Sequence, residues 1–151
     1  IAERETTAGV HVSIGDNTAR EREAKIWGLD RLVSVLHPGA AVSSMAQIGA
    51  GCFVAAQAVV APGARLGMAV IVNHGAVVDH DVTVGAFSHI APGAVLGGGV
   101  TIGEQVLVGA GAVVLPGMKV CSGAVLGAGA VVASDIVQAG TYVGVPARKV
   151  K

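Results

Sequence analysis

The sequence predicts an all-β protein, a solenoid of parallel strands built from hexapeptide repeats and preceded by a partial α/β unit. Three observations support this fold: an aliphatic residue recurs every six positions, a small or apolar residue follows it four positions later, and glycine is frequent between the two. A fixed repeat period is typical of repeat architectures, and a period of six is typical of a β-solenoid. The aliphatic residues form sixteen unbroken repeats, at Val42, Ile48, Val54, Val60, Leu66, Val72, Val78, Val84, Ile90, Leu96, Ile102, Val108, Val114, Val120, Leu126 and Val132.

Each hexapeptide is expected to supply one short strand and one turn. Glycine is the fourth residue in nine of the sixteen repeats, where a positive φ is cheap only without a Cβ. Three such strands make one triangular coil, so residues i and i+18 stack at the strand spacing of about 4.8 Å. Val42, Val60 and Val78 are therefore expected in one ladder inside the coil.

Residues 1–37 have a different pattern, which predicts a strand, a helix and a second strand. Residues 10–14 alternate between apolar and polar side chains, and residues 18–21 have the capping-box spacing that opens a helix reaching about Trp27. A second apolar run occupies residues 32–36. This order matches the βαβ unit of a nucleotide-binding, Rossmann-like fold.

In such a unit the ligand lies where the first strand ends and the helix begins. Gly15, Asp16 and Asn17 occupy this junction and are candidate substrate-binding residues. One βαβ unit is too small for a stable sheet. Because the chain begins at Ile1 without an initiator Met, further strands of the same domain are expected before it.

The chain therefore divides into three segments. Residues 1–37 are expected to form part of a small α/β domain, residues 38–137 the β-helix, and residues 138–151 a cap over the final coil. A cap is needed because the last coil of a solenoid leaves an edge uncovered.

Composition excludes several classes of protein. The chain is 52% hydrophobic, yet its longest apolar run, residues 106–118, is interrupted by Gly and Pro and is shorter than the roughly 18 residues of a membrane span. The charged residues 1–5 do not fit a signal peptide. Ten basic residues balance ten acidic ones, so a nucleic-acid partner is not expected. Cys52 and Cys121 form no closely spaced pair, which fits a reducing compartment such as the cytoplasm.

One repeat carries a group of titratable residues, Asp79-His80-Asp81. Stacking by eighteen residues places it against Gly97-Gly98-Gly99 of the next coil. A histidine between two carboxylates would then border bare backbone, which a ligand can approach closely. Alternatively, the glycines are ordinary turn residues and His80 is an exposed polar residue, and the pattern alone leaves both interpretations open.

Several motifs resemble the NeuD/PglD group of hexapeptide-repeat sugar acetyltransferases. They are residues 77–81 (Val-Val-Asp-His-Asp) with Asn73 upstream, residues 87–94 (Phe-Ser-His-Ile-Ala-Pro-Gly-Ala), and residues 143–148 (Val-Gly-Val-Pro-Ala-Arg). Residues 14–17 (Ile-Gly-Asp-Asn) are similar to the end of the nucleotide-sugar-binding domain that members of the group join to the β-helix. Within the group, the chain is similar to GDP-perosamine N-acetyltransferases.

This resemblance implies a left-handed parallel β-helix over residues 40–137 and an enzyme that uses acetyl-CoA as co-substrate. It also implies a homotrimer with acetyl-CoA in the groove between neighbouring β-helices. The expected reaction is acetylation of the 4-amino group of a nucleotide-linked 4-amino-4,6-dideoxy sugar, by direct transfer.

The resemblance also assigns roles to residues. His80 matches the general base, and Asp81 matches the carboxylate that raises its basicity and fixes its tautomer. Imidazole, with a pKa near 6.5, is suited to remove the amine proton at neutral pH. Gly98, which stacks on His80, is the candidate backbone donor to the oxyanion.

Further candidates are less distinctive. His89 matches a histidine that contacts acetyl-CoA, while Ala110 and Ala128 align with positions that offer backbone to its pantetheine arm. Asn73 is a candidate to orient the substrate amine. Each of these four could equally be a residue of the scaffold.

Two other activities fit a β-helix. A sugar O-acetyltransferase of the sialic acid type would use the same base on a hydroxyl acceptor. A zinc carbonic anhydrase-like β-helix would need three protein ligands, for which His74, His80 and His89 could be considered. These histidines are not expected on one face, and the His-x4-His step of the zinc relatives is absent, so no metal is expected.

Overall fold

The computed structural model describes residues 8–150. Over that range the chain forms helix α1 (Asn17–Trp27), a 3₁₀-helix (Leu29–Arg31) and a series of short strands. The strands are β1 (Val35–Leu36), β2 (Ala41–Val42), β3 (Gln47–Ile48), β4 (Phe53–Val54), β5 (Val59–Val60), β6 (Arg65–Leu66), β7 (Ile71–Val72), β8 (Val77–Val78), β9 (Thr83–Val84), β10 (His89–Ile90), β11 (Val95–Leu96), β12 (Thr101–Ile102), β13 (Leu107–Val108), β14 (Val113–Val114), β15 (Lys119–Val120), β16 (Val125–Leu126), β17 (Val131–Val132), β18 (Thr141–Val143) and β19 (Arg148–Val150).

The strands form the three faces of a parallel β-solenoid, which confirms the predicted fold. Sheet 1 has the order β1-β4-β7-β10-β13-β16-β18-β19, sheet 2 the order β17-β14-β11-β8-β5-β2, and sheet 3 the order β15-β12-β9-β6-β3. The register follows the predicted spacing of eighteen residues, since Val60 pairs with Val78 and Val78 with Leu96.

The interior is a column of aliphatic side chains with small residues beside it. Val60, Val78, Leu96 and Val114 are each at most 1% exposed. Complete burial of a Val or Leu side chain contributes roughly 1.5–3 kcal/mol. The repeat therefore stabilises the solenoid through one core that runs its whole length.

The corners between strands use left-handed backbone at the fourth residue of the repeat. All nine glycines at this position have positive φ, and so do five other residues: Gln57, Ala69, Asp81, Phe87 and Gln105. Left-handed backbone costs a non-glycine residue roughly 1–2 kcal/mol. At Asp81 and Phe87, contacts of the side chain offset this cost: Asp81 hydrogen-bonds to His80, and Phe87 packs in a buried apolar cluster.

The N-terminal unit differs from its prediction in three places. Residues 10–14 do not form a strand, because only Val10 makes a parallel bridge, to Leu32. The helix is capped by Asp16, whose Oδ1 accepts from the Ala19 N–H at 2.8 Å. The predicted capping box at residues 18–21 is wrong, because the helix already begins at Asn17. The second apolar run ends in β1, which pairs with β4 of the solenoid.

The C-terminal segment continues sheet 1 and then folds back. Strand β18 pairs with β16 in parallel, and β19 pairs with β18 in antiparallel orientation. The chain thereby covers the end of sheet 1. No helix within residues 8–150 is long and apolar enough to cross a membrane.

Candidate active site

The first group of candidate residues lies at the corner between sheets 2 and 3. His80 and Asp81 follow β8, and the backbone of Gly98 lies directly beside the His80 ring, because a methyl group at Gly98 would overlap Nε2. The Gly99 N–H donates to the His80 carbonyl at 2.9 Å. The structure therefore has the stacking that the eighteen-residue period predicts.

The carboxylates on either side orient His80. Its Nδ1 lies 3.0 Å from Asp81 Oδ2, and its backbone N–H donates to Asp79 Oδ1 at 2.7 Å. Since a carboxylate only accepts, Nδ1 carries the proton and Nε2 is left with a lone pair. Nε2 is thus the basic nitrogen, and it is the one that faces Gly98.

The same contacts set the electrostatics of His80. The hydrogen bond to Asp81, followed by the charge of Asp79, raises the pKa of His80 above 6.5. The side chains of His80 and Asp81 are 62% and 74% exposed, so a substrate in solution can reach them.

Gly98 also provides an unused backbone donor. Its carbonyl accepts from the Gly117 N–H at 2.9 Å, whereas its own N–H makes no hydrogen bond within residues 8–150. A free N–H beside a base is the arrangement that can stabilise a developing oxyanion.

The second group lies on sheet 1, around His89. His89 Nε2 is 3.1 Å from Asn73 Nδ2, and His89 Nδ1 is 3.2 Å from the Gly15 carbonyl. The carbonyl accepts from Nδ1–H, and Nε2 accepts from the Asn73 amide. Both ring nitrogens are therefore occupied by the protein, so a contact from His89 to acetyl-CoA would have to replace one of these bonds.

Burial is the main cause that lowers the pKa of His89 below 6.5, and the nearby charge of Arg20 lowers it further, while the bond to Gly15 opposes the shift. His89 is consequently neutral at pH 7. This agrees with the tautomer that its two hydrogen bonds require.

His89 and Asn73 open into a cavity of about 180 Å³ between the N-terminal unit and sheet 1. One wall is the loop that leads into helix α1, and the other is the outer surface of β4, β7 and β10. The lining residues are His11, Val12, Ser13, Ile14, Gly15, Arg20, Gly51, Phe53, Ile71, Asn73 and His89.

The remaining candidates have scaffold contacts in this structure. Asp16 caps helix α1, and Asn17 Oδ1 accepts from Arg20 Nη2 at 2.8 Å. Ala110 and Ala128 are exposed at the corner between sheets 1 and 2, where the Gly129 N–H donates to the Ala110 carbonyl.

A single chain therefore holds two separate groups. His80, Asp81 and Gly98 lie at the corner between sheets 2 and 3, whereas Asn73 and His89 lie on the side of sheet 1. Sheet 2 separates them. Within residues 8–150, no three His, Cys, Asp or Glu side chains are gathered as a metal site.

Sequence reasoning missed Arg20, which is only 1% exposed. It lies one helical turn before Ala24, the other buried residue of helix α1. An arginine on the apolar face of a short helix is the signal that could have identified it, since arginine is rarely buried.

Comparison with known proteins shows which family the chain resembles. Residues 99–134 match the family model for bacterial transferase hexapeptide (six repeats). Comparison with curated proteins gives no match.

Several solved structures are similar over almost the whole chain. The acetyltransferase domain of PglB from Neisseria gonorrhoeae is 41% identical, with a TM-score of 0.90, 94% of this chain covered and 70% of that chain. It has also been solved in complex with acetyl coenzyme A.

A mutant GDP-perosamine N-acetyltransferase from Caulobacter crescentus, in complex with CoA and GDP-perosamine, is 36% identical, with a TM-score of 0.92, 95% of this chain covered and 70% of that chain. WeeI from Acinetobacter baumannii is 24% identical, with a TM-score of 0.91, 98% of this chain covered and 74% of that chain, and supports the fold alone. With its hexapeptide solenoid and these relatives, the chain belongs to the NeuD/PglD-type hexapeptide-repeat sugar acetyltransferases, enzymes whose co-substrate is acetyl-CoA.

Proposed function

We propose that this enzyme acetylates the 4-amino group of a nucleotide-linked 4-amino-4,6-dideoxy sugar, with His80 as general base. The observation that carries the proposal is the position of His80 Nε2, which has Asp81 behind the ring and the free Gly98 N–H in front of it. The complex of the Caulobacter crescentus relative with CoA and GDP-perosamine supports this class of substrate.

The proposed reaction is a direct transfer. The sugar amine attacks the thioester carbonyl of acetyl-CoA while its proton passes to His80 Nε2, and the Gly98 N–H stabilises the oxyanion. The C–S bond then breaks, and the protonated imidazole returns the proton to the sulfur of CoA. The products are the N-acetyl sugar and free CoA.

An acyl-enzyme on Cys52 does not fit this geometry. Cys52 is fully buried inside the solenoid, and burial raises the pKa of its thiol to about 11. Since the thiolate is the nucleophile, Cys52 is unreactive at neutral pH.

A complete site is expected to form between copies of the chain, because sheet 2 separates the two groups of candidate residues. The outward side chains of sheet 2 are all apolar, whereas those of sheet 3 are polar or charged. They are Ala41, Val59, Val77, Val95, Val113 and Val131 on sheet 2, and Gln47, Arg65, Thr83, Thr101 and Lys119 on sheet 3.

An apolar face of this kind is typical of a protein interface. We infer a homotrimer in which His80 of one copy meets the cavity beside His89 of its neighbour. In this arrangement Gly15, Asp16 and Asn17 would bind the nucleotide-linked sugar, and Ala110 and Ala128 would lie along acetyl-CoA. The cytoplasm, which supplies acetyl-CoA, is the expected compartment.

The test is a thiol-release assay with acetyl-CoA and UDP-, GDP- and dTDP-linked 4-amino sugars, with a sialic acid acceptor as the O-acetylation arm. Wild type should release CoA with at least one amino sugar, and His80→Asn should lower kcat by at least about 10²-fold, the usual contribution of a general base. Near-normal turnover by His80→Asn would exclude it as the base. Turnover of the hydroxyl acceptor alone would exclude N-acetylation.

A further inference from the structure

Arg20 joins helix α1, the loop before it and two coils of the solenoid. Its Nη1 donates to the carbonyls of Ile14 and Gly15 at 2.9 and 3.1 Å. Its Nε donates to the Ala69 carbonyl at 2.9 Å, and its Nη2 to the Phe87 carbonyl at 2.8 Å. Because the guanidinium is planar and rigid, these bonds fix the loop relative to the coils.

Within residues 8–150, none of the groups that accept a hydrogen bond from this buried cation is a carboxylate. Its partners are five backbone carbonyls and the Asn17 side chain, and burial lowers the pKa of Arg20 to about 10. An apolar side chain of similar size would avoid that desolvation penalty, but it would leave the buried carbonyls of Ala69 and Phe87 without a donor. The guanidinium therefore stabilises this junction and also sets the position of the loop before helix α1.

The loop that Arg20 holds also reaches His89. The Gly15 carbonyl accepts from both Arg20 Nη1 and His89 Nδ1, and His89 Nε2 is bonded to Asn73. Arg20 is thus the first member of a chain of hydrogen bonds that ends in the cavity beside sheet 1.

We propose that Arg20 is a positioning residue, which holds residues 14–17 and His89 in the geometry that binds the nucleotide-linked amino sugar. This inference rests on the proposed function. Arg20 borders the cavity but is only 1% exposed, so it acts through the Gly15 carbonyl and the Asn17 side chain.

The experiment compares wild type with Arg20→Met, Arg20→Lys and the control Arg22→Met. Arg22 lies on the same helix, but its side chain is 69% exposed and pairs only with Glu23 within residues 8–150. Initial rates are measured with the nucleotide-linked amino sugar and acetyl-CoA varied separately. Hydrogen exchange of residues 13–19 provides a readout that does not depend on activity.

Arg20→Met should raise KM for the amino sugar by about tenfold or more, because it misplaces the loop whose Gly15, Asp16 and Asn17 are assigned to that substrate. KM for acetyl-CoA should stay within about twofold, because in the proposed arrangement acetyl-CoA lies along Ala110 and Ala128. Exchange of residues 13–19 should become faster, Arg20→Lys should be intermediate, and Arg22→Met should match wild type. A loss of thermal stability with unchanged KM and unchanged exchange would reduce Arg20 to a structural residue and overturn the proposal.

Two further outcomes are also decisive. If Arg20→Met does not fold, Arg20→Lys is judged by the same KM and exchange criteria. If wild type acetylates none of the amino sugars, the proposed function fails; faster exchange confined to residues 13–19 would then still support the anchoring role, and unchanged exchange would refute it.

Discussion

At the scale of single residues, Asp81 combines a backbone role with a chemical one. It stands at a repeat position that is glycine in nine of sixteen repeats, and it has a left-handed φ of 58°. Aspartate tolerates this conformation better than most residues. The repeat therefore admits a carboxylate at a corner, where it can hydrogen-bond to the neighbouring His80.

Replacing Asp81 by Asn should move the pH profile of the enzyme. A general base works in its neutral form, so kcat/KM rises with pH through the pKa of His80. Asp81 is the largest cause that raises this pKa above 6.5, and its removal should shift the rising limb to lower pH. The weaker base should also lower the plateau, by roughly tenfold.

This prediction is checked by kcat/KM measured between pH 5 and 9, with the exposed Asp30→Asn as control. Asp30 lies in the 3₁₀-helix, away from His80. A rising limb that stays in place, or moves to higher pH, would mean that Asp81 does not tune the base.

At the scale of elements, three other residues with left-handed backbone lie at the corner between sheets 3 and 1, where helix α1 packs on the solenoid. Ala69, Phe87 and Gln105 stack there eighteen residues apart, all with positive φ. Ala69 and Phe87 are buried against Ala24 of helix α1 and Leu32, and Gln105 Nε2 donates to Glu21. Backbone strain at this corner is compensated by side chains that dock the helix.

Phe87→Gly and Gln57→Gly should therefore differ, although both relieve a positive φ. Phe87→Gly loses a buried ring worth about 3–5 kcal/mol and regains roughly 1–2 kcal/mol of strain, so it should destabilise the protein by about 1–4 kcal/mol. Gln57 is exposed, and Gln57→Gly should change stability by less than about 1 kcal/mol.

Thermal unfolding of the two variants measures this difference. Equal melting temperatures would mean that helix α1 gains nothing from the Phe87 ring. A Gln57→Gly variant less stable than Phe87→Gly would contradict the strain argument itself.

The periodic part of the structure could be predicted from the sequence, because the ladder places each residue eighteen positions from its neighbours. That rule placed His80 on Gly98 without any structure. The docking of helix α1 could not be predicted in the same way. Arg20 donates hydrogen bonds to backbone carbonyls 49 to 68 positions away. Because every residue has a backbone carbonyl, the sequence does not indicate which carbonyls Arg20 will contact.

The same contrast explains the N-terminal errors. The alternating residues 10–14 fit a strand, yet over the described residues only Val10 has a bridging partner, Leu32. Alternation predicts a strand only where a neighbouring strand supplies its hydrogen bonds. The loop instead lines the cavity beside His89.

At the scale of the whole molecule, sheet 2 determines which residues can act together. His80 and the cavity beside His89 lie on opposite sides of this apolar face in one chain. A trimer of identical contacts would bring each His80 to the cavity of the next copy. Each active site would then lie at an interface between two copies. In a mixed trimer, a copy with an intact His80 beside a copy with an intact cavity would form a working site, even if each copy lacks the other half.

We therefore expect hybrid activity from two inactive variants. His80→Asn lacks the base but keeps the cavity, and the double variant Asn73→Ala/His89→Ala keeps the base but lacks the cavity contacts. In trimers assembled from an equal mixture, about one interface in four combines an intact His80 with an intact cavity, since each of its two halves is intact in about half of the cases.

The variants are co-expressed with different affinity tags, purified through both tags, and assayed for CoA release. Because purification through both tags retains only trimers with two copies of one variant and one of the other, about one interface in three should be active, against almost none in either parent. Activity no higher than the sum of the parents, in particles that sediment as trimers, would show that each chain carries its complete site. Sedimentation of the active enzyme as a monomer would exclude an active site formed between copies of the chain.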